Sequence, residues 1–226
     1  MSQSRRQFVA EALAVGIVME EQKDNLKIAT TLKIVQVGDT VLRSRARQLS
    51  VEEVRSKNIQ QLIEWMRHTM HDAPGVGLAA PQVGLPFQLA VIEDKREYMQ
   101  DIPDETLKER ERQPVPFHVI VNPRITNYGG HTVTFFEGCL SLNGFVALVP
   151  RSSQVIVECL DHRGEPQKIQ VSGWHARILQ HEIGHLMGEL YIDRMISRSF
   201  CTVESFTRNW KAKTITEVQE SLDLKK

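Results

Sequence analysis

Apolar and polar positions alternate, or fall in short apolar blocks, through most of the middle of this chain, and follow helical spacing in only a few places. Ser50-Val51-Glu52-Glu53 has the Ser-x-x-Glu form of a capping box, and apolar residues follow at Ile59, Leu62, Ile63, Met66 and Met70. That period predicts an amphipathic helix ended by Pro74 and Gly75, with its methionine stripe packed inward and His68 and His71 facing solvent. Residues 88–93 read as a strand, and further strands are expected at 118–122, 132–136, 145–149, 154–160 and 167–171. Asp161-His162-Arg163-Gly164 supplies a hairpin turn between the last two. Short turns between closely spaced strands imply antiparallel pairing. Cys159, inside one alternating run, reads as a small buried side chain. Between strands, 94–117 is charged and carries Pro103, Pro114 and Pro116, so it reads as a surface excursion.

A second helix is expected from Ser172 or Gly173 to Gly188, a favourable residue just past a helix end. Trp174, Ile178, His181 and His185 follow one another at intervals of four, three and four, which puts them on one stripe. From Trp210 a weaker helical pattern runs through Ile215, Val218 and Leu222. The expected architecture is α+β: antiparallel β-sheets packed around a central helix, with an N-terminal helix and a C-terminal extension. Its division is a lead-in over 1–31, a compact domain over 32–200 and a tail over 201–226.

Composition narrows the function classes. The 226 residues include 28 Lys+Arg and 28 Asp+Glu, which argues against bulk attraction to nucleic acid or an anionic membrane. No apolar run approaches the roughly 18 residues of a spanning helix. Three cysteines, Cys139, Cys159 and Cys201, are too few and odd in number for a disulfide framework, and a reducing compartment such as the cytoplasm fits them. Ser4-Arg5-Arg6-Gln7-Phe8-Val9 has some likeness to a twin-arginine export signal, but Glu11 interrupts the apolar run and Glu20-Glu21 close it. The lead-in is therefore read as a soluble segment; an exported or organellar protein is the alternative.

The chemistry concentrates at Gln180-His181-Glu182-Ile183-Gly184-His185. On a helix, the His-Glu-x-x-His spacing stacks two imidazoles one turn apart, where both can hold one metal ion while Glu182 reaches a water beside it. A third ligand is needed. Glu189 follows too closely to return to the same ion, and Asp193 and Glu204 stand in no motif. Upstream, Glu137-Gly138-Cys139-Leu140-Ser141 offers a cysteine that a metal would deprotonate to a strong ligand, although a lone buried thiol is the common alternative. Gly75-Val76-Gly77-Leu78-Ala79-Ala80-Pro81-Gln82 reads either as a tight glycine loop or as an extended edge beside a cleft, with the Gln82 amide pointing into it.

Gly-x-Gly-Leu-Ala-Ala-Pro-Gln, Glu-Gly-Cys-Leu-Ser and Gln-His-Glu-x-x-His stand here in one order, and together they resemble peptide deformylase over roughly 32–200. Residues 144–151 and 173–178 resemble the subgroup of plant and animal organelles and some bacteria. The resemblance implies that Cys139, His181 and His185 bind one divalent ion, usually Fe²⁺, with Zn²⁺, Ni²⁺ or Co²⁺ able to occupy the site. It implies Glu182 as general base, and Gln82 with the backbone N–H of Leu140 as oxyanion donors. The substrate implied is the N-formylmethionyl nascent peptide, with Trp174 and Ile178 receiving the methionine and Val76, Gly77 and Leu78 pairing with the peptide backbone. Glu137 is implied as the partner orienting a ligand histidine, with Arg151 near it. The ribosome is a further possible partner; neither membrane binding nor direct reading of nucleic acid is expected, and the oligomeric state stays open.

One residue departs from the family's usual His-Glu-x-Asp-His, because Gly184 stands at the aspartate position. Glycine inside a helix destabilises by about 1 kcal/mol relative to alanine, and an acidic partner for an arginine such as Arg151 is missing. Activity is expected to survive with lower stability or slower turnover. Two other readings follow: a weakly active or non-catalytic peptide-binding relative, and a broader metallopeptidase.

Overall fold

In the computed structural model, residues 31–224 are described; the twin-arginine-like stretch and almost all of the lead-in lie outside the described residues. Ser50 behaves as its motif requires, accepting from the Glu53 N–H while the Glu53 carboxylate accepts from the Ser50 N–H at 2.8 Å. The resulting helix α1 (Val51–Arg55) is short. Ser56 adopts extended backbone and caps a second helix, α2 (Lys57–Asp72), by accepting from the Ile59 N–H. The periodicity predicts a single helix here; two form because Ser56 offers a cap in mid-pattern. All five apolar residues of the predicted stripe are buried on α2. His71 does not face solvent: its Nε2 lies 2.6 Å from Glu93 Oε2 and its side chain is largely covered.

The strands form one continuous antiparallel sheet: β1 (Gly77–Ala79), β2 (Leu89–Asp94), β3 (Val115–Cys139), β4 (Leu142–Leu160) and β5 (Pro166–Ser172) pair in chain order, and β6 (Cys201–Thr202) adds to β4. Segments 118–122 and 132–136 are thus two parts of β3, and 145–149 and 154–160 two parts of β4. Periodicity splits each strand because the pairing slips at Val121/Arg124, Ile125/Asn127, Gly129/Thr132 and Gly138/Cys139. Each slip re-aims the side chains and bends the ladder. The two ends of β3 consequently serve different cores, Val119 and Val121 beneath α2 and Phe136 beside the carboxyl-terminal segment. Cys159 is buried, as the alternation implies.

The excursion 94–117 contains a short helix α3 (Asp104–Glu109) and is tied back by Arg112, whose Nε and Nη2 donate to the fully buried Asp94 at 2.8 and 2.9 Å. Helix α4 (Gly173–Leu186) follows β5, starts after Ser172 and stops before Gly188 at φ 80°, the left-handed turn that glycine accepts. Ala176, Ile178, Leu179, Ile183 and Leu186 pack on the sheet through Ala79, Ile92, Ile120, Val155 and Val157, which makes α4 the central helix. After β6 come α5 (Val203–Asn209) and α6 (Ile215–Ser221), which pack with Phe136 and Leu148 as a satellite cluster. No helix among the described residues is long and apolar enough to cross a membrane.

Candidate active site

The end of β3 and one face of α4 bring together Cys139, His181 and His185, whose ligand atoms all lie within 4.8 Å of one another. Cys139 Sγ is 3.3 Å from His185 Nε2, and the Ser141 N–H points at the same sulfur at 3.4 Å. Thiolate and imidazole are strong donors for divalent first-row ions. His181 Nδ1 lies 3.0 Å from Glu137 Oε2, and donating there leaves the Nε2 lone pair free to ligate an ion. Two histidines and a cysteine leave room in a four-coordinate shell for one further oxygen. The donor set therefore fits a divalent ion.

Glu137 is the hub behind this cluster. Its carboxylate accepts from Arg151 Nε at 3.0 Å and Nη2 at 2.8 Å, and from Arg177 Nη1 at 2.6 Å. All three side chains are buried. Burial would raise the Glu137 pKa, but hydrogen bonds from His181 and Arg151 and their charges outweigh it and hold the carboxyl well below the usual range. Arg177 is a member that the sequence pattern left unmarked. It stands one turn before His181, so the helical spacing that paired the histidines also carried the signal for it.

Glu182 is buried, and that burial pushes its carboxyl up to about 7, with Glu137 adding to the rise. Its Oε2 has no hydrogen-bond partner among the described residues, as suits a group whose partner is a reacting molecule. Gly77 lies against it: a Cβ there would fall 2.6 Å from Glu182 Cδ. The glycine of the first motif is thus explained by the close approach of the Glu182 side chain. Gln82 is held by its carbonyl, which accepts from the Ala79 N–H at 2.8 Å. Its Nε2 is thereby turned towards Cys139 Sγ at 3.5 Å and Ser141 Oγ at 3.4 Å.

Gly77, Gln82, Glu137, Cys139, His181 and Glu182 line a cleft of about 430 Å³ together with Val76, Leu140, Trp174 and Ile178. Strand β1 stands at the open edge of the sheet, so its outer backbone is available for pairing. The Leu78 side chain is fully buried in the α2 core and does not line the cleft; only its backbone can serve a peptide. The return of the 94–117 excursion also brings Arg110 and Arg112 to the cleft, their guanidinium groups 5.4 and 5.2 Å from the Trp174 ring. Nothing local in that charged stretch marks them for the site, because the long connection alone decides where they land.

Residues 31–200 match the family model described as Polypeptide deformylase. The chain belongs to the polypeptide deformylase family. Similar relatives include peptide deformylase 1A, chloroplastic, of Solanum lycopersicum, 48% identical over 76% of this chain and 62% of that protein. Peptide deformylase, mitochondrial, of Homo sapiens is 40% identical over 75% of this chain and 70% of that one. Both agree with the organellar-type resemblance, and the chain spans less than two thirds of the length of the tomato relative. Among solved structures, a Met-Ala-Ser-bound class I type b peptide deformylase from Acinetobacter baumannii superposes with a TM-score of 0.66 at 30% identity. It covers 74% of this chain and all of its own.

Within this deformylase family member, Gly184 stands in the last turn of α4, on the side away from the cleft, and lines a shallow recess with Arg151. Arg151 is not left without a carboxylate, since it holds Glu137. A Cβ at Gly184 would meet only Glu189 atoms at 3.8 Å, an ordinary contact. Gly184→Ala is therefore expected to stabilise the fold by up to about 1 kcal/mol. Urea unfolding checks this as a higher midpoint at unchanged m-value; an unchanged midpoint would mean that the helix is not limited by this glycine.

Proposed function

We propose that this chain is a metal-dependent hydrolase that removes the formyl group from N-formylmethionyl peptides and releases formate. The observation that carries the reading is the cluster of Cys139, His181 and His185 at a cleft into which Glu182 and Gln82 also project. Fe²⁺ is the proposed resident ion, with Zn²⁺, Ni²⁺ or Co²⁺ able to replace it. When bound, such an ion polarises the formyl oxygen and lowers the pKa of a water molecule.

The chain's own residues supply the rest. Glu182 takes a proton from the attacking water as its oxygen bonds to the formyl carbon. As the C–N bond breaks, Glu182 returns that proton to the departing α-amine, so formate and a free amino terminus leave. Gln82 Nε2 and the Leu140 N–H donate to the oxyanion, and donors of this kind contribute ~2.7–4 kcal/mol each. Burial of Glu182 supports the assignment, because a carboxyl pushed up to about 7 can both take and return a proton near neutral pH. Trp174 and Ile178 receive the methionine side chain, and the backbone of Val76, Gly77 and Leu78 adds the peptide as a further strand beside β1. Glu137 keeps His181 in the ligating tautomer, and Arg151 keeps Glu137 charged.

The bound Met-Ala-Ser of the Acinetobacter baumannii structure has the sequence of a deformylated product, which supports this substrate class. A fitting compartment is one where synthesis starts with formyl-methionine, either a bacterial cytoplasm or an organelle of the kind named for the tomato and human relatives. The test is formate release from formyl-Met-Ala-Ser by anaerobically prepared, iron- or nickel-loaded protein. Release is expected, with the unformylated peptide left intact. Metal-loaded protein that produces no formate rejects the reading, and cleavage of an internal peptide bond favours the broader metallopeptidase.

A further inference from the structure

The recess behind α4 has a volume of about 340 Å³ and lies between that helix and β4. Gln180 and Gly184 line it from the helix, Arg151 and Ser152 from the strand. Gln180, one turn before Gly184, grips the strand. Its Oε1 accepts from the Ser152 N–H at 3.1 Å, and its Nε2 donates to the Ser152 carbonyl at 2.8 Å. The helix face that carries Gly184 is therefore pinned against the strand beside Arg151. Glycine projects no side chain into the recess, and a Cβ at residue 184 would meet only Glu189 atoms at 3.8 Å.

Arg151 is incompletely satisfied there. Its side chain is only 7% exposed, and it lines this recess and not the cleft. Nε and Nη2 donate to Glu137, whereas Nη1 donates to no group among the described residues and keeps access to the recess. Charge is also unbalanced. Glu137 serves both Arg151 and Arg177, and Glu189, on the recess wall, accepts from Arg194 at 2.8 and 2.6 Å. Three guanidinium groups thus face two carboxylates, which leaves one positive charge over. A monoanion accepting from Nη1 satisfies the donor and the charge together. Ile125, Ile183 and Met187 on the same wall disfavour a dianion, whose desolvation costs more. A carboxylate suits the lining further, because the Thr132 hydroxyl there can donate to its second oxygen.

We infer that the recess between Gly184 and Arg151 is a binding site for a small monocarboxylate, such as formate or acetate, seated on Arg151 Nη1. The site is separate from the cleft and does not depend on the proposed activity. The other nitrogens of Arg151 hold Glu137, and Glu137 faces His181, so an occupant of the recess braces the carboxylate that orients this histidine.

Thermal unfolding of the metal-loaded protein at neutral pH, in graded sodium acetate, formate, chloride or sulfate at fixed ionic strength, tests it. Acetate and formate should each raise the wild-type Tm by about 2–4 °C, as ligands that bind only the folded state do. Chloride and sulfate should leave it within about 1 °C. Gly184→Asp supplies a carboxylate from the helix, so its Tm should stop responding to acetate. Gly184→Ala adds one carbon, leaves the recess open and should keep the response. Gly184→Leu fills the space without a charge and should lose it, which covers the case of an aspartate variant that does not fold. A chloride shift equal to that of acetate would overturn the carboxylate site. An acetate response unchanged in both Gly184→Asp and Gly184→Leu would put the anion on the metal ion in the cleft and overturn it too. No shift of wild type with either carboxylate would show that Arg151 is already satisfied, by water or by Glu189, and would end the proposal.

Discussion

Replacing Glu182 with glutamine is expected to lower kcat for formate release by about 10²–10⁴-fold, the usual contribution of a positioned acid–base group. The amide has nearly the same shape, so the packing against Gly77 survives and KM should change little. Only the capacity to accept and return a proton is lost. Stability should not fall, because the wild-type carboxyl is buried, pushed up to about 7 and has an unpartnered oxygen. A neutral group is cheaper to bury there. The two readouts separate the roles of the residue. An inactive variant with an unchanged or higher Tm supports a chemical role, whereas kcat within about threefold of wild type would exclude Glu182 as the base.

Glu137→Gln is expected to have the largest effect on the fold. Arg151 and Arg177 are 7% and 3% exposed and share this one carboxylate. An amide in its place leaves two buried guanidinium groups without a counter-charge, and breaking a buried pair in this way destabilises by roughly 3–5 kcal/mol. For a chain of this size that lowers Tm on the order of 10 °C. The pH dependence has a definite sign. The folded-state pKa of Glu137 lies below its ordinary value of 4.5. Its contribution is therefore complete above about 4.5 and is lost as pH falls through the depressed folded value. The Tm gap between wild type and variant should be full at neutral pH and narrow in acid. His181 also loses its charged acceptor, so metal affinity should fall by about 10–100-fold. Equal Tm values at pH 7 would show that the arginines find other partners and that Glu137 is not the hub.

Most of the scaffold could be read from periodicity and capping. The stripe Ile59 to Met70, the turn at Asp161 to Gly164 and the start and stop of the metal helix each depend on neighbours within a few residues. The reading failed where local signals were ambiguous about continuity. Ser56 splits one apparent helix, and bulges inside β3 and β4 make each long strand look like two. In both cases the backbone resolves a choice that the apolar pattern leaves open.

At the site, the chain's own order of residues determined the two stacked imidazoles with a carboxylate beside them, because helical geometry alone gives that arrangement. It also marked Cys139 and Gln82 as candidates, each with a plain structural alternative. Tertiary structure decided the convergence: the end of β3 puts Cys139 Sγ 3.3 Å from His185 Nε2, and the Ala79 N–H fixes Gln82 so that its amide faces that sulfur. It also decided that Arg177 completes the Glu137 cluster, that Arg110 and Arg112 return to Trp174, and that Val203 lines the cleft. These contacts join residues tens of positions apart. No local period encodes them; they follow from how the bent sheet wraps around α4 and carries distant segments to one place.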